Sequence, residues 1–222
     1  MDPQTSQARV RVWDVPTRLV HWLLVACVAV SWWTGETGRL EWHRWSGYLL
    51  LALVAFRVYW GFFGSSTARF RQFVRGPRAV ANYLRGAWQV APGHNPLGAL
   101  SVLALLVVLA VQVTLGLFAV DVDGIESGPL SEYVSFEAGR IAAKWHGRVF
   151  DALLWLIALH IAAIVYYGLV KKQRLLAAMF HGKREFAEPL PAMQHASVAR
   201  LLVGVTLVSL LAWLVAHAFR LT

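Results

Sequence analysis

Apolar residues run through this chain in five long blocks separated by short polar stretches. They fall at approximately Thr17–Thr34, Trp45–Phe63, Leu97–Val120, Trp145–Val170 and Val198–Phe219. A hydrocarbon layer about 30 Å thick is crossed by roughly 20 helical residues, so the blocks have the length of membrane spans. Leu97–Val120 and Val198–Phe219 are the clearest, being almost free of charge. Thr17–Thr34 has the length of a signal-peptide core, but it carries Trp22, Trp32 and Trp33 and no small-residue cleavage site follows it. It is therefore read as retained. The polar stretch Asp121–Lys144 is long enough for an amphipathic surface helix of its own, with Ser131 ahead of Val134, Ala138, Ile141 and Ala142 at helical spacing. No repeat or low-complexity segment interrupts the pattern. The predicted architecture is all-α and integral to a membrane, a single domain over residues 1–222. A four-helix bundle occupies about 10–184, and a fifth C-terminal transmembrane helix about 198–219.

Composition agrees with the pattern. The chain is 58% hydrophobic and 15% charged, with a mean hydropathy of +0.52, whereas a soluble domain is about a quarter charged. A net charge of +9 raises the question of nucleic acid. The basic residues form no stripe with interleaved aromatics; they cluster between apolar blocks, which argues against a nucleic-acid partner and for a topology signal. Arg9, Arg11 and Arg18 precede the first block, Arg69, Arg71, Arg75, Arg78 and Arg85 follow the second, and Lys171, Lys172, Arg174, Lys183 and Arg184 follow the fourth. The opposite side mixes Arg39, Arg44, Arg140, Lys144, Arg148 and Arg220 with Glu36, Glu41, Asp121, Asp123, Glu126, Glu132 and Glu137. The N-terminus is thus expected inside and the C-terminus outside. Cys27, the single cysteine, lies in an apolar block. An intrachain disulfide, covalent haem attachment through C-x-x-C-H and a thiolate metal centre are all excluded.

Ionisable groups at membrane depth are costly and are read as functional by default. Four histidines stand in or beside the first, second and fourth blocks: His21, His43, His146 and His160. His146 and His160 are fourteen residues apart. In a helix that is about 21 Å of rise and about 40° short of four turns, so both rings project from one face at two depths. His21 begins a helix entering from inside and shares the inner depth with His160. His43 begins one entering from outside and shares the outer depth with His146. Two imidazoles facing across a bundle suit the two axial positions of one haem iron, leaving no open site and therefore one-electron chemistry. The expected cofactors are two haem b, ligated by His21 with His160 and by His43 with His146.

Other residues fit less specifically. Arg57 follows His43 by fourteen and shares its face at the inner level. It suits a propionate of the inner haem, though a side chain there also reaches the interface by snorkelling. Gly35 follows His21 by the same interval and would lie against the outer haem, and Gly47, one turn after His43, would make room for a porphyrin. Arg18, Arg44, Lys144 and Arg148 are further propionate candidates. His94, His181, His195 and His217 are read as surface or interfacial groups, and Gln112 as an interhelical polar group or a quinone contact.

These residues also carry a resemblance. VWDVPTRLVHW around His21, WHRWSGY with His43 and Gly47, GHNPLGAL, the GLF of Gly116–Phe118, and WHGRVFDALLWLIALHI with His146 and His160 resemble bacterial cytochrome b561 and hydrogenase-type cytochrome b subunits. The resemblance covers about Val10 to Arg184. It implies a four-helix, two-haem bundle in the bacterial inner membrane that exchanges electrons with quinone and with a periplasmic or membrane-bound redox protein. The fifth helix departs from that pattern and offers a face for a partner or a second copy of the chain. The ARFRQFVRGPRAV stretch resembles a subgroup found beside small c-type cytochromes, so a c-type cytochrome is the favoured partner, with a dehydrogenase or other redox subunit next. The leading expectation is therefore an electron-transfer subunit of an oxidoreductase system linking quinone to a periplasmic partner. A superoxide:quinone oxidoreductase is the alternative, but the acidic outer loop argues against an anionic substrate. A histidine-lined metal or proton transporter would need polar pathways and broken helices that the blocks do not offer.

Overall fold

The computed structural model describes residues 8–87, 93–123, 126–186 and 191–218. In chain order these form β1 (Ala8–Arg11), α1 (Val15–Glu36), α2 (Leu40–Phe63), the short α3 (Phe70–Phe73) and α4 (Pro77–Leu84), α5 (Pro96–Phe118), α6 (Phe136–Leu169), α7 (Leu175–His181), β2 (Lys183–Phe186) and α8 (Val198–Ala216). Single 3-10 turns lie at Ser66–Ala68 and Ser131–Tyr133. Among the described residues, α1, α2, α5, α6 and α8 are long and apolar enough to cross a bilayer. Their outward faces are apolar too: Trp155 is 79% exposed and Val198 70%, surfaces suited to lipid rather than water. The protein is an all-α, multi-pass membrane protein.

Local chemistry sets the helix starts. Asp14 caps α1, accepting a hydrogen bond from Thr17 N at 2.9 Å, and Asn95 caps α5 through Gly98 N at 2.7 Å, each with a proline at the first or second helical position. Ser135 and Ser197 cap α6 and α8 in the same way. Such caps satisfy donors that a helix cannot satisfy itself. The α1–α2 reversal is tight: Gly38 adopts φ +68, and Arg39 N donates to Thr34 O at 2.9 Å. A side chain at Gly38 would strain that turn.

α1 lies along α2, α5 along α6, and α2 joins the two pairs by contacting α5. α8 packs against α2 from outside this group. The interior is filled by Val20, Cys27, Leu50, Leu53, Phe56, Trp60 and Val113 in one cluster and by Val54, Leu106, Leu109 and Leu153 in another. Cys27 is a buried core residue, as its apolar context predicts.

The elements differ from the sequence expectations in three places. α2 begins at Leu40 rather than Trp45, so His43 stands within the helix. The separate surface helix expected in Asp121–Lys144 is instead the first part of α6, which runs 34 residues without a break from the Ser135 cap. No proline lies between Phe136 and Trp145, and the single Gly139 is tolerated within the helix, so the amphipathic and apolar stretches fuse. A small antiparallel sheet was not expected at all: Arg9 pairs with Glu185 and Val10 with Arg184. Gly182, at φ +77, ends α7 and turns the chain into β2, and its carbonyl accepts from Val12 N at 2.8 Å. The expected end of the fifth block at Phe219 lies outside the described residues.

Candidate functional site

The four histidines emerge from three helices: His21 on α1, His43 on α2, and His146 and His160 on α6. At the end of the bundle holding the Gly38 turn, the His43 and His146 rings face each other with centroids 6.0 Å apart and planes nearly perpendicular. Each ring is aimed by a backbone carbonyl. His43 Nδ1 lies 2.8 Å from Ser31 O, and His146 Nδ1 lies 3.0 Å from Gln112 O. A carbonyl can only accept, so in both rings Nδ1 carries the proton and Nε2 the lone pair. Consistently, the Gln112 side-chain amide lies 3.1 Å from His146 Nε2, where it donates, a bond that a metal at Nε2 would replace. Gln112 is thus an interhelical polar group whose partner is His146.

A cavity of about 320 Å³ opens between these rings, and its wall is overwhelmingly apolar. Gly35, Gly47, Gly116 and Gly147 line it. A Cβ on Gly116 would come 2.9 Å from His146 Cε1, and one on Gly35 3.3 Å from His43 Nδ1. These two glycines make room for the imidazoles themselves. A Cβ on Gly47 would meet nothing within 4 Å, so Gly47 leaves open space in the cavity. Ser31 and Ser46 brace the same level, their hydroxyls 2.6 Å apart.

At the opposite end, His21 and His160 stand within electrostatic reach of each other. His160 Nδ1 lies 3.2 Å from the Ser101 hydroxyl of α5, and His21 Nδ1 is buried without a hydrogen-bond partner. Arg57 is buried beneath this level, 8% exposed, so it does not snorkel to solvent. It sits over the Phe70 ring and donates to Ala68 O at 3.4 Å. Asp14, also buried, accepts from Trp60 Nε1 at 2.9 Å. Arg18 reaches the Phe180 carbonyl with one nitrogen, while its Nε is buried without a partner. Of the other arginines considered, Arg44 is paired with Glu126 and Arg148 lies over Trp145.

His94 departs from its expected place at the surface. Its ring packs between Trp13 and Phe73, at centroid distances of 4.5 and 4.7 Å, and its Nδ1 is buried without a partner. Burial, and next the nearby Arg57 charge, push its pKa down to about 3.

Histidines at two levels of an apolar bundle suit a membrane protein that carries haem. Residues 12–182 match the model of the prokaryotic cytochrome b561 family. The chain belongs to that family. Two relatives named probable Ni/Fe-hydrogenase B-type cytochrome subunits, from Azotobacter chroococcum mcd 1 and Azotobacter vinelandii, are each 25% identical over 224 residues, covering 84% of this chain and 92% of the relative. No solved structure matches. The chain is accordingly a b-type cytochrome, a membrane electron-transfer protein that carries haem b.

The residues of the cytochrome fit that cofactor. Two imidazoles that each reach one central metal by a bond of about 2 Å have ring centroids roughly 6 Å apart, the spacing of His43 and His146. The glycines that a Cβ would fill and the partnerless nitrogen of His21 point the same way. Sequence reasoning did not single out Ser31, Ser101 or Gly116, which contact the histidines, and it placed His94 at the surface. For Ser101 and Gln112 a signal was present, since they are eleven residues apart and share one face of α5.

Proposed function

We propose that this cytochrome holds two b haems and carries electrons across the bacterial inner membrane between the quinone pool and a periplasmic redox partner, a c-type cytochrome or a dehydrogenase. One observation carries the reading: α6 presents His146 to His43 at one depth and places His160 within electrostatic reach of His21 at the other. Haem, when bound, supplies a one-electron couple. The protein supplies everything that confines it to that role. His43 with His146, and His21 with His160, would hold the haems from both sides and would leave dioxygen and substrate no place at the iron. The Ser31 and Gln112 carbonyls fix the orientation and tautomer of the outer pair. Arg18, whose Nε is buried without a partner, and the buried Arg57 would serve the inner propionates.

The N-terminus is cytoplasmic and the C-terminus periplasmic, a reading supported by the basic residues around β1, α3, α4 and β2. The acidic residues of the Asp121–Glu137 stretch favour a partner with a positive docking face over an anionic substrate. The Azotobacter relatives are named as hydrogenase subunits, which supports a separate redox chain as partner.

A pyridine haemochrome assay on the detergent-solubilised chain is expected to give about two non-covalent b haems. His160→Ala should lose the inner haem and keep much of the outer one. Retention of both in that variant refutes the pairing, and a native chain without haem, made with haem in supply, refutes the reading altogether.

A further inference from the structure

The imidazoles of the two levels are not held alike. At the outer level both Nδ1–H groups donate to backbone carbonyls, at 2.8 Å for His43 and 3.0 Å for His146. At the inner level the acceptor for His160 is a neutral hydroxyl, Ser101 Oγ, at the longer distance of 3.2 Å, and His21 Nδ1 is buried with no acceptor. A strong acceptor on the far side of an imidazole draws the Nδ1 proton and raises the basicity of the ligating nitrogen. In a low-dielectric interior that effect is large. A more basic ligand stabilises ferric over ferrous iron and lowers the reduction potential. The charge of Arg57 is opposed by Asp14, which lies within its electrostatic reach.

From this asymmetry we infer that the inner site, His21 with His160, has the higher reduction potential, and that Ser101 is the positioning residue that sets it. An electron received at the His43–His146 site is then driven toward the His21–His160 site, from the face of mixed charge to the basic one. The outer acceptors are main-chain atoms, so their effect is built into α1 and α5 and persists through side-chain change. The inner acceptor is a side chain and can be removed.

The inference rests on the two-haem reading, and one experiment separates them. Haem is counted and redox potentiometry is followed in the haem absorption bands, on the purified chain and on Ser101→Ala and Ser101→Thr. Fewer than two haems in the native chain defeats the two-haem reading itself. With two haems, the native titration should resolve two components. Ser101→Ala should shift the upper component to still higher potential and leave the lower one in place. Ser101→Thr, which keeps the hydroxyl, should return the native value. A shift confined to the lower component, or no shift in either, overturns the inference. Should Ser101→Ala cost the chain one haem, the surviving component must be the lower of the native pair; survival of the upper one overturns the inference equally.

Discussion

The ring of His94 lies between two aromatic side chains, with its Nδ1 sealed from solvent and a buried guanidinium nearby. It is therefore neutral in the folded chain down to about pH 3, whereas an exposed imidazole takes up a proton below about 6.5. Between those values the unfolded chain binds a proton that the folded chain refuses, so stability falls as pH falls. The contribution of neutral His94 is complete above about 6.5 and is lost progressively on the way toward 3. Melting of the detergent-solubilised protein at pH 7.5 and pH 5 should show a smaller acid-induced drop for His94→Gln than for the native chain; equal drops would show that His94 is not the source. The same residue marks a boundary of what sequence conveys. The fourteen-residue spacing of His146 and His160 is readable because a helix turns separation into rotation. The neighbours of His94 are Trp13 and Phe73, which no local period connects to it.

Packing between elements explains why the fifth helix stays attached although it bears none of the paired histidines. Gly204 of α8 meets α2 closely enough that a Cβ there would stand 2.4 Å from Tyr59 Cε1, and the Tyr59 hydroxyl donates to Arg200 O at 2.9 Å. Gly204→Ala should therefore lower stability by about 1–3 kcal/mol through overpacking, read as a lower denaturation midpoint in detergent. Its haem content should match the native chain's; loss of haem would show that α8 supports the histidine levels after all. The connection leading into α8 is fastened as well. Ser66 N donates to Gln194 O at 2.9 Å and Ala196 N to Ser65 Oγ at 3.1 Å. The five apolar blocks were legible because a bilayer demands length and hydrophobicity together. The β1–β2 pair was not, since β1 alternates over only four residues, β2 does not alternate, and the two lie far apart in the chain with the Gly182 turn leading into β2. The unbroken length of α6 was missed because an amphipathic segment and an apolar one look like two elements when no breaker is sought between them.

For the molecule as a whole, the asymmetry of charge predicts how it sits in the membrane. Alkaline phosphatase fused after Thr222 should be active and a fluorescent protein fused there dark, with the opposite result for fusions after Leu84. Fluorescence from the C-terminal fusion would invert the topology, and with it the assignment of inner and outer levels. The arrangement also leaves an unequal division of labour: α1, α2 and α6 supply the imidazoles, while α5 supplies none. Yet α5 touches both histidines of α6, through Ser101 at one depth and Gln112 at the other. Eleven residues separate these contacts, about 20° beyond three full turns. The rod works like a spindle with two pointers fixed to it: a turn of α5 registers at both levels together, and one residue inserted between the pointers would swing one from the other by about 100°. The two histidine levels, about 21 Å apart along α6, are in this sense a single mechanical adjustment.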